Sequence, residues 1–581
     1  MSFNKIPLIG NEHSDETRNI INLMVQVINN RGIEILSESS FLSWLEENGL
    51  SHQGEWDESK EYDRLDVVLY EGSSYTSKKP TPAGIDILDE EYWVLTGNYN
   101  SQVESYRQEV IGLQEEITSE VNDITSEVND IKDKQYVSID LFGAVGDGVT
   151  DDTIAIQNSI DYAIETGKPL QGTTKTYKIH RLSLPENKYF LSSTNFVLRG
   201  DDTGNVYSID VQENSEVDTL NIKVPSGATN ERIVRVQSNT YIDSINIIAE
   251  SNLSTGNDLL DSAVYISGDN ITVNNIYTDL CESSVIVLQS TNVNLGDLKL
   301  MRSVRGLYVR ESRHIEVSKI ITRDAPINDE WGAGKNGVLI EESEDIYFDV
   351  AYIADSAEHG IRIGGVRNEK YKQRSIHFGE VITRRTKGCG FKVFSGALSG
   401  EPYVISNISI DSLTVIDACY KMPPIRNRDG LHLSAVNKVS INDLRVITSD
   451  SNISSYFGMY VSGVNDLNIG RVFIDKSINV GAMFEKDYGQ VNKIYIDNFT
   501  CIGVGNEMIN VNHSGEVMRD FYIRNIWGRE WGLNYPAIKL ELSLVYQPLL
   551  LQGYVRVDGN RRAFESIPST HANIINKVET V

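Results

Sequence analysis

Beyond residue 167 the chain is dominated by short stretches in which apolar and polar positions alternate, the period of a strand with one buried face. One version recurs as glycine, apolar, any residue, apolar: Gly306-Leu-Tyr-Val, Gly337-Val-Leu-Ile, Gly360-Ile-Arg-Ile, Gly390-Phe-Lys-Val, Gly430-Leu-His-Leu, Gly458-Met-Tyr-Val and Gly481-Ala-Met-Phe. The copies are 31, 23, 30, 40, 28 and 23 residues apart, the spacing of a solenoid in which each repeat adds one turn. Further short strands lie between them, at Asp345–Val350, Ser375–Phe378, Ile408–Ile410 and Lys493–Ile496. Two or three strands per turn with Asn and Asp at the corners predict a mainly β chain, folded as a right-handed parallel β-helix over residues 136–540. A stacked interior explains how 40% hydrophobic and 8% aromatic residues suffice for a continuous core.

Upstream the period changes. Val103, Tyr106, Val110, Leu113, Ile117, Val121, Ile124, Val128 and Ile131 follow steps of 3, 4, 3, 4, 4, 3, 4 and 3, a heptad with one extra four-residue step. ITSEVND occurs twice in succession at Ile117–Asp130, and β-branched residues at both seam positions favour three or more strands, so a trimeric coiled coil is expected over 101–135. Helical spacing of Ile20, Ile21, Met24, Val25 and Ile28, continued by Trp44 and Leu45, predicts a helical head over 1–52. Residues 53–100 read as a small β module rich in aromatics: Trp56, Tyr62, Tyr70, Tyr75, Tyr92 and Trp93. Such rings either stack on sugars or form the core of a module too small to have another. The tail, 541–581, alternates at Tyr546–Val557 and is expected to close the solenoid or add a trimer contact.

Where coil meets solenoid the chain reads FGAVGDGVTDDT, Phe142–Thr153. Gly143, Gly146 and Gly148 suit a folded-back turn, and Thr150, Asp151 and Asp152 are placed to accept the first amides of a helix with Ile156, Ile160, Ala163 and Ile164 on its apolar face. Turn and capping roles account for Asp147, Asp151 and Asp152 without catalysis.

A formal net charge of −29 argues against nucleic acid as a partner, since that affinity rests on clustered Lys and Arg. No apolar run is long enough for a bilayer, and the N-terminus lacks the layout of a signal peptide, so synthesis in a cytoplasm is expected. Cys281, Cys389, Cys419 and Cys501 stand apart, without C-x-x-C pairs or histidines at metal spacing; they read as buried thiols, and no metal site or cofactor is assigned.

Three resemblances add to these patterns. The W…Y-x-x-x-D-V-V-x-Y-x-G-x-x-Y…W arrangement of the small module is similar to carbohydrate-binding modules found on chitinases. FGAVGDGVTDDT followed by AIQNSIDYA resembles the entry of pectate-lyase-like β-helices in bacteriophage tailspikes and capsule depolymerases. The order head, module, coil and β-helix looks like a receptor-binding appendage of short-tailed phages of Gram-positive hosts. That resemblance implies a homotrimer in the virion tail, joined to the tail or connector through the head, whose β-helices bind and usually cleave a host cell-surface glycan.

Chemistry is expected on loops that leave the ladder at equivalent corners: 322–336, 366–373, 395–402, 418–429 and 449–457. Carboxylates gather there on neighbouring turns, Asp324, Asp329 and Glu330 beside Trp331, then Asp355 and Glu358 with His359, later Asp417 and Asp429. Glycoside hydrolysis needs one protonated and one ionised carboxyl across the scissile bond, and stacked turns supply such pairs. The stretch Asp355–Gly365 resembles the active-site turn of polygalacturonase relatives, with Glu358-His359 where those have paired aspartates. The acids expected to do chemistry are therefore Glu358 and Asp355, completed by Asp329 and Glu330. Substrate contacts are expected from Trp331, His359, Arg362, Asp429 and the basic island Arg384, Arg385 and Lys387, which suits an anionic sugar or else pairs with Asp355 or Glu358 across turns. The activity expected is an endo-acting hydrolase of a capsular polysaccharide, exopolysaccharide or glycosylated teichoic acid. A spike that binds without cleaving, and a lyase acting by β-elimination, are the alternatives.

Overall fold

The structure, a computed structural model, describes residues 51–97, 105, 107–122 and 135–580, apart from 201–206, 229–231, 254–261, 326–333, 365–373, 396–404, 421–427, 450–454, 488–490, 518, 533, 545–548, 556–563 and 568–574. Residues 1–50 of the expected helical head and the flanks of the expected coil lie outside the described residues, and Ser51 and His52 open a strand. The chain divides into two units, Met1–Asp133 and Lys134–Val581. Among the described residues no helix is long and apolar enough to cross a membrane.

In the first unit, Ser51–Glu55 pairs parallel with Asp66–Tyr70, which pairs antiparallel with Ser73–Ser77, itself antiparallel to Trp93–Gly97. Tyr62, Val68, Ile87 and Trp93 are buried between these strands, with Trp56, Tyr70 and Tyr75 half-buried around them. Tyr62 meets Trp93 edge-on at 5.3 Å and Trp56 meets Tyr70 at 5.4 Å. The aromatics of this module are thus its core, the arrangement expected where so few residues must bury a sheet. A helix covers 107–122.

The second unit is a right-handed parallel β-helix. Short strands stack in one column, Val338–Glu341 on Ile361–Gly364, on Phe391–Phe394, on the start of Leu431–Ile447, on that of Met459–Ser477, and on Ala482–Glu485. Longer, bent strands stack in another, Arg313–Arg323, Glu344–Ala354, Arg374–Arg384 and Ser406–Ile416, every contact again parallel. Alternate side chains point inward, so Val338, Ile340, Ile361, Ile363, Phe391, Val393, Leu431 and Leu433 line one continuous core. Parallel pairing continues past residue 540, where Ile538–Leu544 meets Phe564–Ile567 and Leu549–Val555 meets Ile575–Thr580.

The glycine of the recurring motif has a steric cause. A Cβ at Gly360 would lie 2.5 Å from the carbonyl oxygen of Gly390, at Gly430 2.5 Å from that of Gly458, and at Gly458 2.7 Å from that of Gly481. None of the three has positive φ, so what the position demands is room for the next turn of backbone, not conformational freedom. Corners use a second device. Asn214, Asn239, Asn270 and Asn292 occupy the left-handed region, which asparagine tolerates, and their amides bond in series at 3.2, 3.0 and 3.1 Å.

At the entry, Gly143, Gly146 and Gly148 all have positive φ, as the folded-back turn requires. The helix spans Thr153–Glu165 and buries Ile156, Ser159, Ile160 and Ala163, while Ile164 is 38% exposed and does not belong to the packed face. Asp152 does not cap the helix with its side chain. Its two oxygens instead accept the N–H groups of Val145 and Gly146 at 2.7 and 3.1 Å, fastening the glycine turn, and Asp151 accepts from Thr153 at 3.1 Å.

If rung spacing is what fixes the motif, Gly430→Ala lowers unfolding stability by roughly 1–3 kcal/mol, the cost of overpacking a tight site. Gly84→Ala, where nothing lies within 4 Å but φ is +86°, separates backbone strain from crowding. Urea unfolding of the three proteins is the measurement.

Candidate functional site

Outward-facing side chains of the short-strand column fall at the unspecified position of the motif. In register they are Tyr308, Leu339, Arg362, Lys392, His432, Tyr460 and Met483. The ends of the column are apolar and covered: Ile286, Leu288, Tyr308 and Leu339 form one buried cluster, and Phe457, Tyr460, Val480 and Met483 another. Between them stand three nitrogen-bearing groups on consecutive turns, Arg362, Lys392 and His432, about 4.8 Å apart by strand spacing. The Arg362 side chain is 24% exposed and Lys392 is half-buried, whereas His432 is fully covered and stacks on Tyr460 at 4.7 Å.

From Gly337 to Gly458 the residue before the motif glycine forms a second column, Asn336, His359, Cys389, Asp429 and Phe457. Here the side chain of one turn accepts the backbone N–H of the next. His359 N–H donates to Asn336 Oδ1 (3.1 Å), Cys389 N–H to His359 Nδ1 (2.9 Å), Asp429 N–H to Cys389 Sγ (3.3 Å) and Phe457 N–H to Asp429 Oδ1 (3.3 Å). The series satisfies buried amides that would otherwise each cost on the order of 1–3 kcal/mol. It also sets the His359 tautomer, because Nδ1 accepts and the ring proton must reside on Nε2. Burial, then the cations Lys392 and Arg362, hold the His359 pKa well below its ordinary value, so the ring stays neutral.

Glu358 lies beside this column. Gly334 N–H donates to its Oε2 at 2.8 Å, and its Oε1 is 3.5 Å from both Arg362 Nη1 and His359 Nε2. Its side chain is 5% exposed. Arg362 Nε is buried without a hydrogen-bond partner among the described residues, as is Asn336 Nδ2.

Asp355 belongs to a different feature. It sits at a left-handed corner, accepts from Arg385 Nη2 at 2.7 Å across one turn and from Asp324 N–H at 3.4 Å. Asp417, two turns on, is likewise held by Ser449 N–H and Oγ, both at 2.7 Å. Of the expected basic island, Arg385 is therefore the inter-turn partner of Asp355, Arg384 is exposed, and Lys387 is buried with its N–H on Ser356 O at 3.1 Å. Arg362 is in register with Lys392, not with that island. Asp329, Glu330 and Trp331 lie outside the described residues, as do most residues of the five expected loops.

Asp429, expected as a substrate contact, has 0% exposure and bonds through Oδ2 to His432 Nδ1 at 2.7 Å; His432 Nε2 meets Ser434 Oγ at 2.7 Å. Lys392, His432, Ser434 and Cys389 were not anticipated as site residues. The motif itself held the signal for Lys392 and His432, since its unspecified position faces outward in every copy.

The chain matches no protein-family model, and no curated protein is similar to it in sequence. Among solved structures it is similar to the Dettilon tailspike protein, at 14% identity over 70% of this chain and 68% of that one, with a TM-score of 0.36. It is similar to tailspike protein 3 of bacteriophage CBA120, at 10% identity over 93% and 81%, TM-score 0.28. A third is the catalytic unit of an alpha-1,3-glucanase from Streptomyces thermodiastaticus, at 11% identity over 71% and 68%, TM-score 0.32. At these identities and scores no residue role passes from those proteins to this one.

Because His359 is buried neutral, an unfolded chain takes up its proton first as pH falls below 6.5. The folded pKa is depressed, so the contribution to stability is present above 6.5 and declines as the medium becomes more acidic. His359→Asn, which keeps an acceptor for Cys389 N–H, reduces the loss of stability between pH 7 and pH 5; His359→Leu costs roughly 1–3 kcal/mol at pH 7 as well. Urea midpoints across that range check both.

Proposed function

We propose that this chain is a receptor-binding appendage of a bacteriophage tail that binds and hydrolyses an anionic glycan of the host surface, with the outward column at Arg362 and Lys392 as the binding floor and Glu358 as the acid. The observation that carries the reading is the group formed by Glu358, Arg362 and Lys392: a nearly buried carboxylate 3.5 Å from a guanidinium whose Nε has no hydrogen-bond partner among the described residues, with an ammonium in register on the next turn. A negatively charged sugar, or a phosphate in a teichoic acid, would satisfy those donors, and bidentate geometry favours Arg362 as its anchor. Glu358 then lies next to the bound residue, where a carboxyl assists departure of the leaving oxygen. Asp329 and Glu330 remain the proposed second carboxyl, and Trp331 the stacking surface. Asp355 acts through the corner that it locks with Arg385.

The entry sequence Phe142–Thr153 supports the tail assignment by its resemblance to tailspike β-helices. The exposed apolar residues of the 107–122 helix, Val110 at 60% and Ile117 at 38%, support a trimeric coil that would cover them. With the trimer, the N-terminal head would attach the protein to the virion.

Incubation of the protein with host cell-wall polymer, followed by mass analysis, yields oligosaccharides with new reducing ends and no unsaturated product. Glu358→Gln lowers fragment release at least 100-fold while polymer binding persists. Binding without fragments from the wild-type protein establishes a non-cleaving spike instead, and an unsaturated, ultraviolet-absorbing product establishes a lyase. Light scattering gives three chains per particle, and Val110→Asp with Ile117→Asp reduces that number.

A further inference from the structure

The Cys389, Asp429 and His432 side chains offer a sulfur, a carboxylate oxygen and an imidazole nitrogen within 4.8 Å of one another, and all three residues are buried. They come from two adjacent turns of the solenoid: Cys389 and Asp429 occupy equivalent places before Gly390 and Gly430, and His432 follows on the strand that Gly430 opens. We infer that this cluster is a binding site for a divalent transition ion of the zinc class, held by Cys389 Sγ, Asp429 Oδ2 and His432 Nδ1.

Three features support the assignment. Donor type is the first: mixed thiolate, imidazole and carboxylate suits zinc, whereas magnesium and calcium take oxygen donors. Tetrahedral bond lengths for such a set place ligand atoms roughly 3.5 Å apart. The cluster reaches that by opening the 2.7 Å contact between Asp429 and His432 and drawing in the sulfur. Charge is the second. One thiolate and one carboxylate neutralise a dication, so the loaded centre carries no net charge into a fully buried place. The third is the supporting shell. Asp429 N–H already points at Cys389 Sγ (3.3 Å), Phe457 N–H holds Asp429 Oδ1 (3.3 Å), and Ser434 Oγ stands 2.7 Å from His432 Nε2. Amides on the thiolate, on the free carboxylate oxygen and a hydroxyl on the second ring nitrogen are what orients ligands in a metal centre. A second thiol, Cys419, is buried nearby and feels the Cys389 sulfur; its own Sγ donates to Arg428 O at 2.6 Å.

Loading is proton-balanced. The Cys389 thiol gives up one proton to solvent, and the imidazole proton moves from Nδ1 to Nε2, where it is donated to Ser434 Oγ. Because loading releases a proton, binding is coupled to pH. The centre would join two turns beneath the basic column and does not depend on the glycan reading.

The test uses the full-length protein stripped with chelator and titrated with cobalt(II) and zinc(II). Cobalt is expected to give a thiolate-to-metal charge-transfer absorption at one equivalent per chain, displaced by zinc. Cys389→Ser abolishes the absorption, while Cys281→Ser, a thiol buried elsewhere, keeps it. Asp429→Asn and His432→Gln weaken binding at least 100-fold, and circular dichroism on each shows whether it is folded. No absorption in the wild-type protein, or an absorption unchanged in folded Cys389→Ser, overturns the assignment. Glycan cleavage by Glu358 is measured separately, so failure of one reading leaves the other standing.

Discussion

Close approach of successive backbone turns at the motif glycine is the constraint on which the rest of this structure depends. At Gly360, Gly430 and Gly458 there is no room for a Cβ beneath the next carbonyl. That contact fixes where each turn enters the short-strand column, and the position two residues later then faces outward on every turn. The residue before the glycine is fixed in the same way and can hand its side-chain acceptor to the next turn's amide. Two columns, one outward and one buried, are consequences of one packing contact.

These columns divide the polar residues by role. Asn336, His359, Cys389 and Asp429 form a hydrogen-bonded series that stabilises the corner, and neutral His359 is part of it. Arg362 and Lys392 stand on the outward column, where covered apolar clusters at either end leave a polar interval. Glu358 lies at the junction, touching His359 of one column and Arg362 of the other. Asp355 and Arg385 keep the adjoining corner in place.

The solenoid was legible because its period is written in glycine spacing and two-residue alternation, both local properties. Asn and Asp at the corners were legible for the same reason; that many of them are left-handed is a finding of the structure. The helix at Thr153–Glu165 was legible too, but the Asp152 role was not, since choosing between a helix amide and the turn at Val145 depends on how the chain folds back. Glu358 and Arg362, which the structure brings to 3.5 Å of each other, belong to one stretch of sequence. Lys392 and His432 were passed over because long loops make the turns unequal, so residues adjacent in space lie 30 and 40 positions apart. The island Arg384, Arg385 and Lys387 divides in space: Arg385 makes the expected cross-turn pair with Asp355, Arg384 is exposed and Lys387 is buried.

The outward column at Arg362 and Lys392 is proposed as the floor on which an anionic glycan lies. Equilibrium binding of purified host polymer to the Glu358→Gln protein, with and without Arg362→Ala and Lys392→Ala, tests it most directly. A tenfold or greater loss of affinity with both substitutions, together with weaker binding as salt increases, is the result predicted. Unchanged affinity in folded protein lacking both cations would contradict it.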